Sequence, residues 1–493
     1  MSQFKRTIIV LSLFLFVQAP LPLKPDPQLK ISVDLLTAMV SPRVIAEPLH
    51  VWVYFRDKGL KGEAERLQAV METQQTLRAR CQWRRAKVRP ATNLADFEDV
   101  PLSAVYTDQV QPLVTRVRAV SRWLNAMSVE AAPEQVRALA ALDCVAGLDM
   151  VRSFRREKDP APLAARFLAG PSAPSPIYGP AFSQLNQINV LPLHQQGLSG
   201  RGVLVCLLDV GFRKSHEVFR LAHLVAEWDF VFGDGDVQQN LDDPKDYSDS
   251  HGTATWSLLG GFKFGQMIGP AFGADFILAR TEDDRSETPI EEDYWAAGIE
   301  WAESLGAEVV SSSLGYTDWY QFKNMDGKTA VTTRAANRAA SLGVVVVNAA
   351  GNERRNAWGH IIAPADGFDV IAAGAVDLSN KIAGFSSPGP TYDGRIKPEV
   401  CALGVNDWIA QNRAQDESDY YTRGSGTSFA TPLVGGVAAL LLEAHRDWTP
   451  KQVRDALMKT AGNAGSPNND FGWGIINAAA AASYTAFSPV QRK

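Results

Sequence analysis

The sequence predicts an α/β protein: a doubly wound, mostly parallel sheet flanked by helices, preceded by a small α+β domain. Three observations predict it. From Tyr178 onward, apolar strands alternate with helical segments. Those strands are near-continuous aliphatic runs, the composition of strands covered on both faces. Ahead of them lies a compact mixed pattern, set off by a stretch rich in Pro, Ala and Ser over 157–176.

The elements follow in chain order. Residues 1–19 read as a signal peptide, with Lys5 and Arg6 before the apolar run 8–17 and Ala19 after it. Ten apolar residues are too short to span a bilayer, so no permanent membrane span is expected. The α+β domain is expected over 20–156: strand 49–55, helix 62–80, helix 111–124, strand 126–130, helix 134–142 and strand 145–151. Residues 157–177 form a linker open to proteolysis, and 178–493 hold the large domain. Its expected strands are 203–209, 275–279, 308–312, 344–348 and 370–374. Its expected helices are 253–259, 290–305, 329–342, 428–445 and 450–460.

A chain of 493 residues with 46% apolar and 21% charged residues has ordinary globular composition. A net charge of -5 without a long basic run argues against nucleic acid as a partner. None of Cys144, Cys206 and Cys401 has metal-type spacing. Cys206 and Cys401 read as separately buried thiols, with a bridge between them as the alternative. The acidic residues Asp234, Asp236, Asp242 and Asp243 read as a solvated loop rather than an ion site.

Doubly wound sheets place their sites at the carboxyl ends of strands. Here those ends carry Asp209, Ser313-Leu314-Gly315, and Asn348-Ala349-Ala350-Gly351-Asn352. His251 lies on a turn entering a helix. The stretch Gly424-Ser-Gly-Thr-Ser-Phe-Ala-Thr-Pro432 opens a nearly charge-free helix, and Thr427 is placed to cap it. Ser428 in the first turn sits among unpaired N–H groups in a positive field, which suits a nucleophile whose substrate develops negative oxygen. Taken singly, each residue also has an ordinary structural role: a capping serine, a turn asparagine, a surface histidine.

Together the motifs resemble the subtilisin family of serine peptidases, with similarity from about Asn186 to Ala480. Asp209 stands in the aspartate motif, His251 in His-Gly-Thr, Ser428 in Gly-Thr-Ser-Phe-Ala-Thr-Pro and Asn352 in Ala-Ala-Gly-Asn. The order Asp, His, Ser is that family's order. The resemblance implies a self-processing, exported serine endopeptidase, located outside the cell, in the periplasm or on the envelope. Its substrates would be proteins or peptides, and residues 20–156 would be a prodomain acting as intramolecular inhibitor. It implies Ser428 as nucleophile, His251 as base, Asp209 as orienting acid and Asn352 as oxyanion donor. It also implies Ser313, Leu314, Gly315, Ala349, Ala350 and Gly351 as walls of the first substrate pocket, with glycines leaving backbone groups for an extended substrate. Glu282, Asp283 and Asp284 match a position lining the substrate channel. Two departures stand out. Val210 replaces a hydroxyl residue after the aspartate, and 260–272 lacks the Asn-rich calcium loop, so no cofactor is expected. Competing readings are a non-catalytic relative, an α/β-hydrolase lacking its Gly-x-Ser-x-Gly elbow, and a nucleotide-binding enzyme suggested by Gly197-Leu-Ser-Gly-Arg-Gly202.

Overall fold

The computed structural model describes residues 27–41, 48–154, 175–238, 249–283, 290–317, 320–413 and 416–486. The expected signal peptide, most of the linker, Asp242, Asp243 and Asp284 lie outside these residues.

The N-terminal domain runs α1 (Val33–Met39), β1 (Leu49–Phe55), α2 (Glu63–Thr76), α3 (Ala79–Arg85), α4 (Ala104–Val110), β2 (Arg116–Ser121), β3 (Ala126–Ala131), α5 (Pro133–Ala140) and β4 (Val145–Met150). Its four strands form an antiparallel sheet in the order β2-β3-β1-β4. The helix expected over 111–124 is instead edge strand β2. Arg116-Val-Arg-Ala-Val-Ser121 alternates toward solvent and sheet, and the bulge between Val117 and Ala119 shifts the period enough to imitate a helix. The helix expected over 62–80 breaks at Leu77 into α2 and α3.

The large domain is a seven-stranded, all-parallel sheet. Its strands are β5 (Leu204–Asp209), β6 (His223–Asp229), β7 (Asp275–Arg280), β8 (Val309–Ser312), β9 (Val345–Ala349), β10 (Val370–Val376) and β11 (Val400–Leu403). Their spatial order is β11-β10-β9-β8-β5-β7-β6. The five expected strands are the five inner ones. Both edge strands escaped the pattern. β6 carries His223, Glu227 and Asp229 and is half exposed, and β11 is four residues long.

Alternate strand residues feed two cores, as the pleat requires. Val205 and Leu207 pack under α6 (Asp249–Gly260) and a later helix, Thr427–Ala444. Leu204, Cys206 and Leu208 pack under α7 (Glu292–Leu305) and α8 (Val331–Ser341). Helix α9 (Thr427–Ala444) is long and apolar enough to cross a membrane, but 89% of it is buried in the core. α10 (Pro450–Lys459) follows, capped by Thr449. All four cysteines are buried and free; burial pushes the Cys401 thiol up to about 12 and Cys206 higher still.

The N-terminal domain docks its sheet on α7. Trp52, Leu124 and Ala126 join the core beneath α7 and α8. Glu300 accepts from the Ser121 hydroxyl at 2.8 Å and the Arg122 N–H at 3.1 Å. The Arg118 guanidinium donates to Asp293 at 2.8 Å. Farther along, α3 drives Arg84 and Arg85 into the large domain, where both are fully buried. Arg85 grips both oxygens of Glu303 at 2.8 Å and pairs with Asp99 at 2.9 Å. Arg84 also contacts Glu303, and it donates to the carbonyls of Leu342 and Ala307.

One buried acid lies close to the nucleophile helix. The hairpin β12 (Asp407–Arg413) and β13 (Asp416–Gly424) leads directly into α9, and Asp407 pairs with Gly424 across it. Asp407 is fully buried, and among the described residues neither carboxylate oxygen meets a partner from another residue. Burial pushes its carboxyl up to about 8, partly offset by the Arg423 charge. A folded-state value raised above the unfolded one means the native state holds the extra proton. Stability is therefore fully present below pH ~4 and lost up to pH ~8, at no more than about 1.4 kcal/mol per pH unit. Asp407→Asn should flatten that slope. Urea midpoints at pH 5 and pH 8 check it. An unchanged slope would place the proton elsewhere.

Candidate active site

Asp209 is the last residue of β5, next to the point where successive strands begin to add on the other side of the sheet, so it stands at the switch-point crevice. Its carboxylate is buried but well supplied with donors. The His251 Nδ1–H donates to Oδ1 at 2.6 Å, the Val210 N–H to the same oxygen at 2.8 Å, and the Thr255 hydroxyl to Oδ2 at 2.9 Å. Val210 thus offers only its backbone N–H, and Thr255 supplies a hydroxyl donor from α6. His251 and Thr255 are four apart on α6 and so share a face. That spacing was readable in the sequence and was missed.

His251 sits in the first turn of α6, which presses against the loop after β5. A Cβ at Gly252 would lie 1.9 Å from the Gly211 carbonyl oxygen, so only glycine lets the helix come this close. With Nδ1 protonated and bound to Asp209, Nε2 carries the lone pair. The ring packs 5.9 Å from that of Phe429, the residue after Ser428.

Ser428 is the second residue of α9, where N–H groups have no intrahelical acceptor. Four residues on, Pro432 supplies no N–H, so the Ser428 carbonyl loses its helical partner. The Ser313 hydroxyl fills that role at 2.7 Å, and the Ser428 hydroxyl donates to the Ser313 carbonyl at 3.2 Å. Ser313 therefore holds the nucleophile turn from both ends. The helix cap is Gly426, not Thr427. Thr427 serves the site instead. Its N–H and hydroxyl both donate to Asn352 Oδ1 at 3.0 Å, and the Gly351 N–H donates to its hydroxyl at 3.2 Å. With Oδ1 tied down, the amide Nδ2 is the end of Asn352 left for a ligand.

The structure brings the two expected pocket walls to the nucleophile turn: 313–315 through the Ser313 bonds, and 349–351 through Thr427. It does not place Glu282 in an open channel. Glu282 is buried and accepts from the Tyr316 hydroxyl, whose own pKa burial raises well above the usual range. The segment 197–202 binds no phosphate-like group either. The Ser199 and Gly200 N–H groups are taken by Glu443 at 2.7 and 2.6 Å. Asp236 is spent on Lys214 at 3.0 Å and on the Gln238 N–H, and Asp234 on the Asp236 N–H. Among the described residues no group of three or more His, Cys, Asp or Glu is placed to hold a metal ion.

Comparisons with known proteins bear on the family and the fold. The family model described as the subtilase family matches residues 200–474, more than half of the chain. The model described as the peptidase S8 propeptide domain, Bacteroidota, matches residues 50–163. Subtilisin E of Bacillus subtilis (strain 168) is 32% identical over 335 residues, covering 67% of this chain and 78% of that protein. The subtilisin of Bacillus pumilus is 33% identical over 301 residues, covering 60% of this chain and 97% of its own. Fervidolysin from Fervidobacterium pennivorans superposes with a TM-score of 0.62 at 21% identity, over 90% of this chain and 62% of its own length; at that identity it supports the fold alone. With its parallel sheet, its match to the subtilase model and its N-terminal propeptide domain, the chain belongs to the subtilase family of serine peptidases.

Proposed function

We propose that the chain is an exported serine endopeptidase, made as a self-processing zymogen, that cleaves through Asp209, His251 and Ser428 with Asn352 as an oxyanion donor. The observation that carries this reading is the paired network around the nucleophile turn: Asp209 orienting His251, and Thr427 orienting Asn352 beside Ser428. Ser428 attacks the scissile carbonyl, and His251 Nε2 takes its proton and passes it to the leaving amine. Asp209 holds the tautomer and stabilises the imidazolium. The Ser428 N–H and Asn352 Nδ2 stabilise the developing oxyanion.

The inhibitory role assigned to residues 20–156 is supported by where that domain ends. Ser153–Phe154 pairs antiparallel with Ile290–Glu291, in the connection leaving the carboxyl end of β7. The Arg152 N–H donates to Glu292 at 3.0 Å, anchoring this tail, while burial pushes the Glu292 carboxyl up to about 8. A tail added as a strand on the active-site side of the sheet occupies space that an extended substrate needs. Residues 157–177 then hold the processing site, and 178–493 form the mature enzyme. No step requires a metal or cofactor.

Asn352→Ala tests the oxyanion assignment. Turnover should fall roughly 10²–10³-fold with little change in KM, because the amide acts on the transition state. A loss confined to KM would make Asn352 a substrate-binding residue.

A further inference from the structure

The two pocket walls do not face an empty slot. Ile362, 4% exposed, lies between them. A Cβ at Gly315 would lie 2.1 Å from Ile362 Cδ1, and one at Gly351 would lie 2.9 Å from Ile362 Cγ2 and 3.0 Å from Cδ1. One isoleucine side chain therefore touches the glycine of each wall. Its backbone is fixed as well: the Tyr316 N–H donates to the Ala363 carbonyl at 2.9 Å, so 362–363 runs antiparallel beside the first wall. Behind the second wall, a Cβ at Gly351 would also meet the Ser387 hydroxyl at 2.8 Å, and Ser387 donates its N–H to the Gly351 carbonyl at 2.8 Å. The second wall therefore has no room to retreat. Glycine at 315 and 351 is thus required to seat Ile362, a role different from the one expected of these glycines.

This has a consequence for the substrate, and it rests on the catalytic reading above. A carbonyl carbon at Ser428 Oγ, with its oxygen toward the Ser428 N–H and Asn352 Nδ2, directs the side chain of the residue donating that carbonyl between the walls. We infer that Ile362 is a specificity-determining residue that stoppers this pocket, so that the enzyme cleaves after residues with small side chains (Ala, Gly, Ser) and rejects aromatic ones. Ile362 touches neither the nucleophile turn nor the Asp209–His251 pair in the contacts above, so shortening it enlarges the pocket without disturbing the chemistry.

The test is kcat/KM on a peptide p-nitroanilide series differing only in the residue before the cut (Ala, Leu, Phe), with wild type, Ile362→Ala and Ile362→Gly. Active sites are titrated with a fluorophosphonate. Wild type should favour Ala over Phe by at least tenfold. Each variant should raise the Phe rate by about 10²-fold, the scale on which a hydrophobic pocket discriminates by size, with the Ala rate within a few-fold of wild type. A wild-type preference for Phe, or a Phe/Ala ratio unchanged in both variants, overturns the inference while titration at Ser428 still upholds the catalytic reading. If the glycine variant does not fold, the wild-type profile and the alanine variant decide. Absence of both labelling and turnover in wild type would defeat the catalytic reading, and the inference with it.

Discussion

Ser428→Ala is expected to lower turnover by on the order of 10⁶, the scale of nucleophile loss in a subtilisin. The fold should be intact, because among the described residues the side-chain bond removed is the 3.2 Å bond to the Ser313 carbonyl. The bonds that shape the turn use groups the variant keeps: the Ser428 carbonyl held by Ser313 and the Asn352 amide held by Thr427. Unchanged thermal unfolding together with lost peptidase activity is the expected pair of results. Turnover within tenfold of wild type would remove Ser428 from the chemistry.

Asp209→Asn should cost about 10⁴ in turnover, with the geometry nearly unchanged. The three groups around Asp209 are all donors: His251 Nδ1–H, Thr255 Oγ–H and Val210 N–H. A carboxylate accepts from all of them. An asparagine must turn its NH₂ toward one side. Facing His251, that NH₂ would force Nδ1 to become the acceptor and would place the proton on Nε2, where it blocks transfer from Ser428. Facing Thr255, it would leave the imidazole oriented but strip the negative charge that stabilises the imidazolium. Either arrangement lowers turnover far more than KM, so steady-state kinetics with active-site titration check it. A loss below tenfold would mean that Asp209 serves the fold rather than the reaction.

What the sequence made legible follows physical locality. Asp209, His251, Asn352 and Ser428 each sit in a short motif whose neighbours fix the backbone, and the five inner strands announced themselves as aliphatic runs because both faces are covered. The edges of the sheet were not legible. β6 must satisfy solvent along much of its length, so His223, Glu227 and Asp229 break its apolar run. Nothing in the local sequence marks Arg84 and Arg85 for burial, because Glu303 and Asp99, which make it tolerable, lie elsewhere in the chain. Ile362 was invisible for the same reason. It lies 47 and 11 residues from the two glycines that it fits against, in a stretch with no motif of its own.

The buried contacts of Arg84 and Arg85 also bear on maturation. Withdrawing α3 would break the contacts of Arg84 and Arg85 with Glu303 and return all three charges to water. In the proposed maturation, these contacts would hold a cut prodomain in place after the chain is broken. The central claim, that Ser428 cleaves its own chain between the two domains, is tested by intact mass under denaturing conditions, which separate pieces that native buffers keep together. Wild type is expected to give two masses, with a mature chain beginning between about residue 156 and residue 178. Ser428→Ala, expressed in the same host, is expected to give one uncut mass with residues 20–156 attached. A wild-type enzyme fully active as a single uncut chain, or a Ser428→Ala chain cut at the same position, would contradict it.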